Sequence, residues 1–173
     1  MKKSNLVKVL LGLTLSLIFL CGCNQKKDVV DFKQLGDKML KAFNAHDASA
    51  LTEFYADDAV LFDVKGEELA RGKAAIEKYY TAYFRAFPDL KMEFVQIIAA
   101  GDQVCYEFIN RGTFTGPFAG PQGDIQPTGL KSVIKGAFLA KLTPAGLIKE
   151  DRSYYDELSW MKQLGLIKQN EEK

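Results

Sequence analysis

One histidine and three cysteines are the only imidazole and thiol ligands among 173 residues. A transition-metal site needs several such side chains within reach of each other, and a Ser-His-Asp set needs a histidine placed for it. Neither chemistry is expected here. His46 stands beside Asp47 at a helix break, where local hydrogen bonding is its plainest use. Glycine-rich phosphate loops are absent as well, so nucleotide chemistry is not expected. Nor does one charge dominate: 23 bases face 22 acids. Such a balance lacks the field that holds nucleic acid or an anionic bilayer.

Long apolar runs are scarce too, and the exception is informative. Lys2, Lys3 and Lys8 precede Val9 to Leu20, and Leu20-Cys21-Gly22-Cys23 follows. That run is too short to span a bilayer comfortably and suits a secretory signal; an uncleaved membrane helix is the alternative. The last four residues resemble a lipobox, the bacterial lipoprotein signal whose cysteine is acylated and becomes the first mature residue. The resemblance implies a signal peptide over 1–22, acyl chains on Cys23, and a polar tether over 23–29. It places the protein in the bacterial cell envelope, outside the cytoplasm. Asn24 is not the aspartate associated with inner-membrane retention, so the outer membrane is expected where there are two.

Loss of such a leader removes three lysines and no acid, so 20 bases face 22 acids and the mature net charge is −2. Membrane attachment would then come from acyl chains and not from the protein surface. With Cys21 gone and Cys23 acylated, only Cys105 remains, which excludes an intramolecular disulfide. Cys105 lies in Val104-Cys105-Tyr106-Glu107-Phe108, where an inert packed thiol is the simplest reading.

About 150 mature residues suit one domain. Phe32, Leu35, Met39 and Phe43 recur at helical spacing, predicting a first helix over about 30–45. Asp47 can cap a short second helix carrying Leu51, Phe54 and Tyr55. Ala59 to Val64 reads as a strand. A third helix follows Gly72, with Ile76, Tyr80, Tyr83, Phe84 and Phe87 on one broad face, and Pro88 stops it. Beyond it, strands over 90–100 and 104–115 flank Gly101-Asp102. Strands over 130–142 and 147–155 flank Thr143-Pro144-Ala145-Gly146. Leu158, Met161 and Leu164 suggest a short closing helix before a charged tail over 168–173. Helices first and a meandering sheet afterwards predict an α+β domain over 30–167.

Three stretches together resemble one superfamily. Asn44-Ala45-His46-Asp47 with Phe54-Tyr55-Ala56-Asp57-Asp58-Ala59-Val60 resembles the opening of NTF2-like domains. Arg111-Gly112-Thr113-Phe114-Thr115-Gly116-Pro117-Phe118 with Pro127-Thr128-Gly129 is similar to the SnoaL-like polyketide cyclase and ester cyclase branch, as is Tyr155-Asp156 leading to Gln163-Leu164-Gly165. The resemblance implies a cone in which three N-terminal helices wrap a curved mixed or antiparallel sheet around a pocket, with a short C-terminal helix. It also implies homodimers and, in the better-studied cyclases, a cofactor-free aldol closure run by an acidic side chain. It sets Asp63 at the position of the base in the related ketosteroid isomerases. Met39 and Phe138 stand where those isomerases carry their oxyanion-stabilising pair, and Phe114 where many cyclases carry histidine, so steroid isomerisation is not expected.

Each candidate has a plain alternative. Asp63 is either a base facing the cone or the start of a turn through Val64, Lys65 and Gly66. Asp156 is an N-cap for the last helix, an acid or base, or both. Arg111 either holds a carboxylate or carbonyl at the pocket mouth, or faces outward paired with Glu107. Lys135 poses the same question. Tyr79, Tyr80 and Tyr83 are core, or they line the pocket and orient a ligand. The stretch from Gly116 to Gly129 is a lid, a dimer contact or a surface loop. Two functions stay open at this level. One is cofactor-free cyclisation or isomerisation of a small hydrophobic carbonyl compound. The other is a non-catalytic module binding a hydrophobic ligand or a protein at the membrane.

Overall fold

The computed structural model describes residues 30–120 and 123–167. The leader, Cys23, the tether over 23–29 and the tail over 168–173 lie outside the described residues. Asp31 caps α1 (Phe32–Asn44) by accepting from the Gln34 amide at 2.9 Å, and Gly36, Met39, Ala42 and Phe43 form its buried stripe. Gly36 lets the helix sit down on the sheet. A Cβ there would lie 2.5 Å from the Tyr106 ring, and the Tyr106 hydroxyl donates to the Phe32 carbonyl at 2.7 Å.

His46 adopts a left-handed φ of 56°, turning the chain out of α1. Its Nε2 lies 2.8 Å from the Leu90 carbonyl oxygen and its ring stacks on Phe84, so its hydrogen bond reaches across the fold instead of staying local. Asp47 then caps α2 (Ala48–Thr52), accepting from the Ala50 amide. Tyr55, expected within that helix, is instead the first residue of β1 (Tyr55–Phe62). The turn after Asp63 leads to an unanticipated edge strand, β2 (Glu68–Arg71), and then to α3 (Lys73–Ala86).

The remaining main strands are β3 (Lys91–Ala100), β4 (Gln103–Thr113), β7 (Lys131–Leu142) and β8 (Ile148–Tyr155). They complete a six-stranded sheet in the order β2-β1-β8-β7-β4-β3, parallel between β1 and β8 and antiparallel elsewhere. Register shifts at Leu61/Phe62, Phe94/Gln96 and Lys141/Leu142 bend the strands. The bent sheet curves around the helices, and α4 (Glu157–Gln163) closes one end with Trp160 buried. This is an α+β arrangement of helices against a curved, mostly antiparallel sheet, as the resemblance implied.

The Gly116–Gly129 stretch is more than a surface loop. It contains a small hairpin, β5 (Phe118–Gly120) and β6 (Gly123–Ile125). The amides of Thr115 and Gly116 both donate to the Ala86 carbonyl, at 3.1 and 3.0 Å. A salt bridge of 3.4 Å between Arg85 and Asp124 holds the hairpin against α3.

Candidate active site

A cavity of about 460 Å³ opens between the concave sheet face, α1, α3, the β5–β6 hairpin and α4. Its size suits a small organic ligand. Most of the wall is apolar: Met39, Phe43, Leu61, Phe94, Phe108, Phe138 and Trp160 all contribute. Met39 and Phe138 therefore both face the chamber.

One carboxylate enters this wall from the middle of the sheet. Asp151 lies on β8, flanked by Leu61 of β1 and Ala140 of β7, and is 5% exposed. The Tyr55 hydroxyl donates to its Oδ2 at 2.7 Å, and the Tyr80 hydroxyl lies 3.0 Å from that of Tyr55. Because Tyr55 gives its proton to the carboxylate, Tyr80 must be the donor of the second bond. The chain of donors thus runs from Tyr80 through Tyr55 to Asp151. Burial pushes the Asp151 carboxyl up from 3.8 to about 6, outweighing the stabilising hydrogen bond from Tyr55. Burial, reinforced by the Asp151 charge, holds the Tyr55 and Tyr80 hydroxyls well above their usual range, so both stay protonated donors at neutral pH. Ser153 and Tyr155 follow Asp151 along the same inward row, and burial raises Tyr155 to about 12.

A second polar point sits elsewhere in the wall. Asn110 of β4 is 4% exposed, and its Nδ2 donates to the Tyr83 hydroxyl at 3.2 Å. Its Oδ1 is buried and has no partner among the described residues. An orphaned amide oxygen costs about 1–3 kcal/mol, so it calls for an explanation.

The expected site residues divide. Tyr80 and Tyr83 line the cavity together with Tyr79. Asp63 reaches the cavity rim, but its Oδ1 accepts from the Lys65 and Glu67 amides and so builds the turn. Asp156 is exposed and caps α4 through the Ser159 amide at 2.9 Å, outside the cavity wall. Arg111 points away from the chamber and pairs at 2.8 Å with Glu93 on the neighbouring strand, not with Glu107. Lys135 is also outward, near Cys105 on the far face of the sheet. Among the described residues, no three His, Cys, Asp or Glu side chains gather as metal ligands would.

Asp151, Tyr55 and Asn110 were not anticipated. Asp151 hides in Lys149-Glu150-Asp151-Arg152, which reads as a solvated charge run. Alternation counted back from Tyr155 through Ser153 does reach it. Asn110 shares an inward row with Val104, Tyr106 and Phe108, so the amide, and not neighbouring Arg111, is what breaks the apolar pattern.

The model of a family described as SnoaL-like polyketide cyclase matches residues 33–164. No curated protein matches the chain. Among solved structures, AclR from Streptomyces galilaeus is 24% identical, with 81% of this chain and 88% of that one covered and a TM-score of 0.67. IdmH from Streptomyces antibioticus is 23% identical, covering 79% of this chain and 99% of its own, at a TM-score of 0.63. A protein of ketosteroid isomerase-like fold from Catenulispora acidiphila, in complex with trimethylamine, is 20% identical over 76% of this chain and 92% of its own, at 0.63. At these identities the likeness establishes the fold.

The raised Asp151 pKa makes stability pH-dependent with a definite sign. The folded value, about 6, lies above the unfolded 3.8. The penalty for ionising this group is therefore absent below about pH 4, builds as pH rises through about 6, and then stays constant at about 3 kcal/mol. Urea unfolding of Asp151→Asn against the parent should show a relative gain for the variant that grows from pH 4 to pH 7.5 by roughly that amount. A difference that stays flat across this range would show that the carboxylate is well solvated.

Proposed function

This chain belongs to the SnoaL-like polyketide cyclase family, and from that premise we propose that it takes a small hydrophobic carbonyl compound into the cavity and moves a proton on it, with Asp151 as acid and base. The observation carrying this reading is the carboxylate itself, buried in an apolar chamber and hydrogen-bonded to the first of two linked tyrosines. A base must be desolvated enough to have a pKa near the working pH and must have donors close to the oxygen that gains charge. Asp63, tied into its turn, and Asp156, capping a helix in solvent, meet these conditions less well.

The proton budget is simple. Oδ2 is held by Tyr55, so Oδ1 takes the proton from the carbon beside the ligand carbonyl, and the C–H electron pair becomes the enolate. With the proton on Oδ1, Oδ2 still accepts from Tyr55 and Tyr80 still donates to Tyr55. The enolate oxygen therefore takes its hydrogen bond from a hydroxyl outside that chain, Tyr79 or Tyr155 on the same wall. In an aldol closure the enolate carbon bonds to a second carbonyl carbon of the same molecule. The electron pair of that C=O moves to its oxygen, which recovers the proton from Asp151. In an isomerisation the proton returns to a different carbon. Neither route loses or gains an atom.

Hydrogen exchange tests the base without knowing the natural substrate. With 2-acetylnaphthalene in D₂O, exchange of the methyl protons by the parent protein, followed by NMR, should accelerate as pH rises through about 6. Asp151→Asn should lower the rate roughly a hundredfold or more. Asp156→Asn keeps the N-cap and should stay within about twofold of the parent. Binding of the ketone with no catalysed exchange would favour the non-catalytic module instead.

The cellular setting belongs to the same proposal. Leu20-Cys21-Gly22-Cys23 after a basic, apolar leader supports acylation at Cys23 and a place on the outer face of an envelope membrane. No helix among the described residues is long and apolar enough to cross a membrane. Val95, Ile98 and Val133, exposed outside the sheet, are where homodimer formation would bury apolar surface. Expressed from its full gene, the parent should incorporate an alkynyl palmitate label and sediment with membranes. Cys23→Ala should do neither, and continued labelling of that variant would remove Cys23 as the anchor.

A further inference from the structure

We propose that Asn110 is a specificity-determining residue whose carboxamide oxygen accepts a hydrogen bond from a hydroxyl of the ligand, so that the site selects ketones carrying a phenolic or enolic O–H away from the reacting carbonyl. This rests on the ligand-binding reading above and adds to it the second functional group the ligand must carry. Asn110 is the one amide in the inward row Val104, Tyr106, Phe108, Asn110, where the Tyr106 hydroxyl is already engaged by the Phe32 carbonyl. Its partners across the sheet, Met92 on β3 and Ile134 on β7, are apolar and also line the cavity. No neighbour on the sheet can satisfy it. Tyr83 takes the amide's Nδ2 at 3.2 Å, which fixes the plane of the carboxamide and leaves Oδ1, buried and unpartnered, as the free end.

Placement separates this point from the base. Asn110 stands opposite Ile134 and Asp151 opposite Ala140, six residues further along the same strand β7. Tyr83, which bonds Asn110, and Tyr80, which is linked to Asp151 only through Tyr55, are one turn apart on α3. The two polar points therefore serve different parts of one molecule, with the aromatic wall between them. A buried acceptor that only the ligand can satisfy discriminates strongly, because an analogue without the donor leaves it unpaired.

Three fluorescent naphthyl ketones test this on the intact protein: 6-acetyl-2-naphthol, its methyl ether, and 2-acetylnaphthalene. The parent protein should bind the naphthol about tenfold more tightly than either of the others. Asn110→Leu should erase that preference, with thermal stability equal or higher, since an orphaned polar group is removed. Asn110→Ala, which cannot overpack, should erase it equally and serves if the leucine variant fails to fold. Tyr83→Phe, releasing the carboxamide, should reduce it. Equal binding of all three ketones by the parent, or a preference that survives in Asn110→Ala, overturns the role of Asn110 while the pocket reading stands. Tightest binding of the methyl ether overturns the acceptor role, because it requires a donor there. Failure of the parent to bind any of the three overturns this proposal and the ligand-binding reading together.

Discussion

A carboxylate without a cationic partner, placed inside a chamber walled by hydrocarbon, is the constraint around which this domain is arranged. Among the described residues no lysine or arginine pairs with Asp151; its support is the hydroxyl of Tyr55 and, behind that, Tyr80. An ion pair would have pulled its pKa down and made it an inert structural charge. Hydroxyls stabilise the charge less, so burial prevails and the group titrates near 6. Holding the carboxylate this way costs stability and keeps its pKa near neutrality, a pattern common at acid–base sites.

The fold supplies that position through ordinary means. A six-stranded sheet bent by register shifts leaves a concave face wide enough for a cavity, and α1 and α3 roof it with aromatic rings. Gly36 brings α1 close, and the Ala86 carbonyl anchors the β5–β6 hairpin at the mouth. Tyr55 reaches Asp151 because β1 and β8 run side by side in parallel, aligning Tyr55 with Ile148 near the start of both strands. The link between two residues 96 positions apart is therefore a product of topology.

Periodicity made the scaffold legible and left the chemistry obscure. The first and third helices, the four long strands of the second half and the caps at Asp47 and Asp156 follow from spacing and turn residues. Short elements did not: Glu68–Arg71 is a four-residue edge strand, and the hairpin at the mouth is built from three-residue strands among glycines. The acid was obscured by a bulge. Leu142 pairs with Ile148 but Lys141 with Glu150, so Lys149 is extra and the inward phase shifts from Glu150 to Asp151. Counting forward from Ile148 turns the wrong carboxylate inward. Tyr55 was lost for a related reason: helical spacing after Leu51 absorbed it, whereas the chain had already turned into a strand. At Asn110, attention to charge selected Arg111, whose side chain lies on the opposite face.

Family membership and geometry meet at one point, a proton acceptor in an apolar chamber, and the account stands on that acceptor being desolvated. Titrating the side-chain carboxyl carbon of Asp151 by carbon-13 NMR on labelled protein measures it directly. A midpoint at about 6 is expected, shifting further upward when a ketone fills the cavity and excludes water. A midpoint at or below the ordinary 3.8, unmoved by ligand, would mean that water or a cation reaches the group, and Asp151 would then be no base at all.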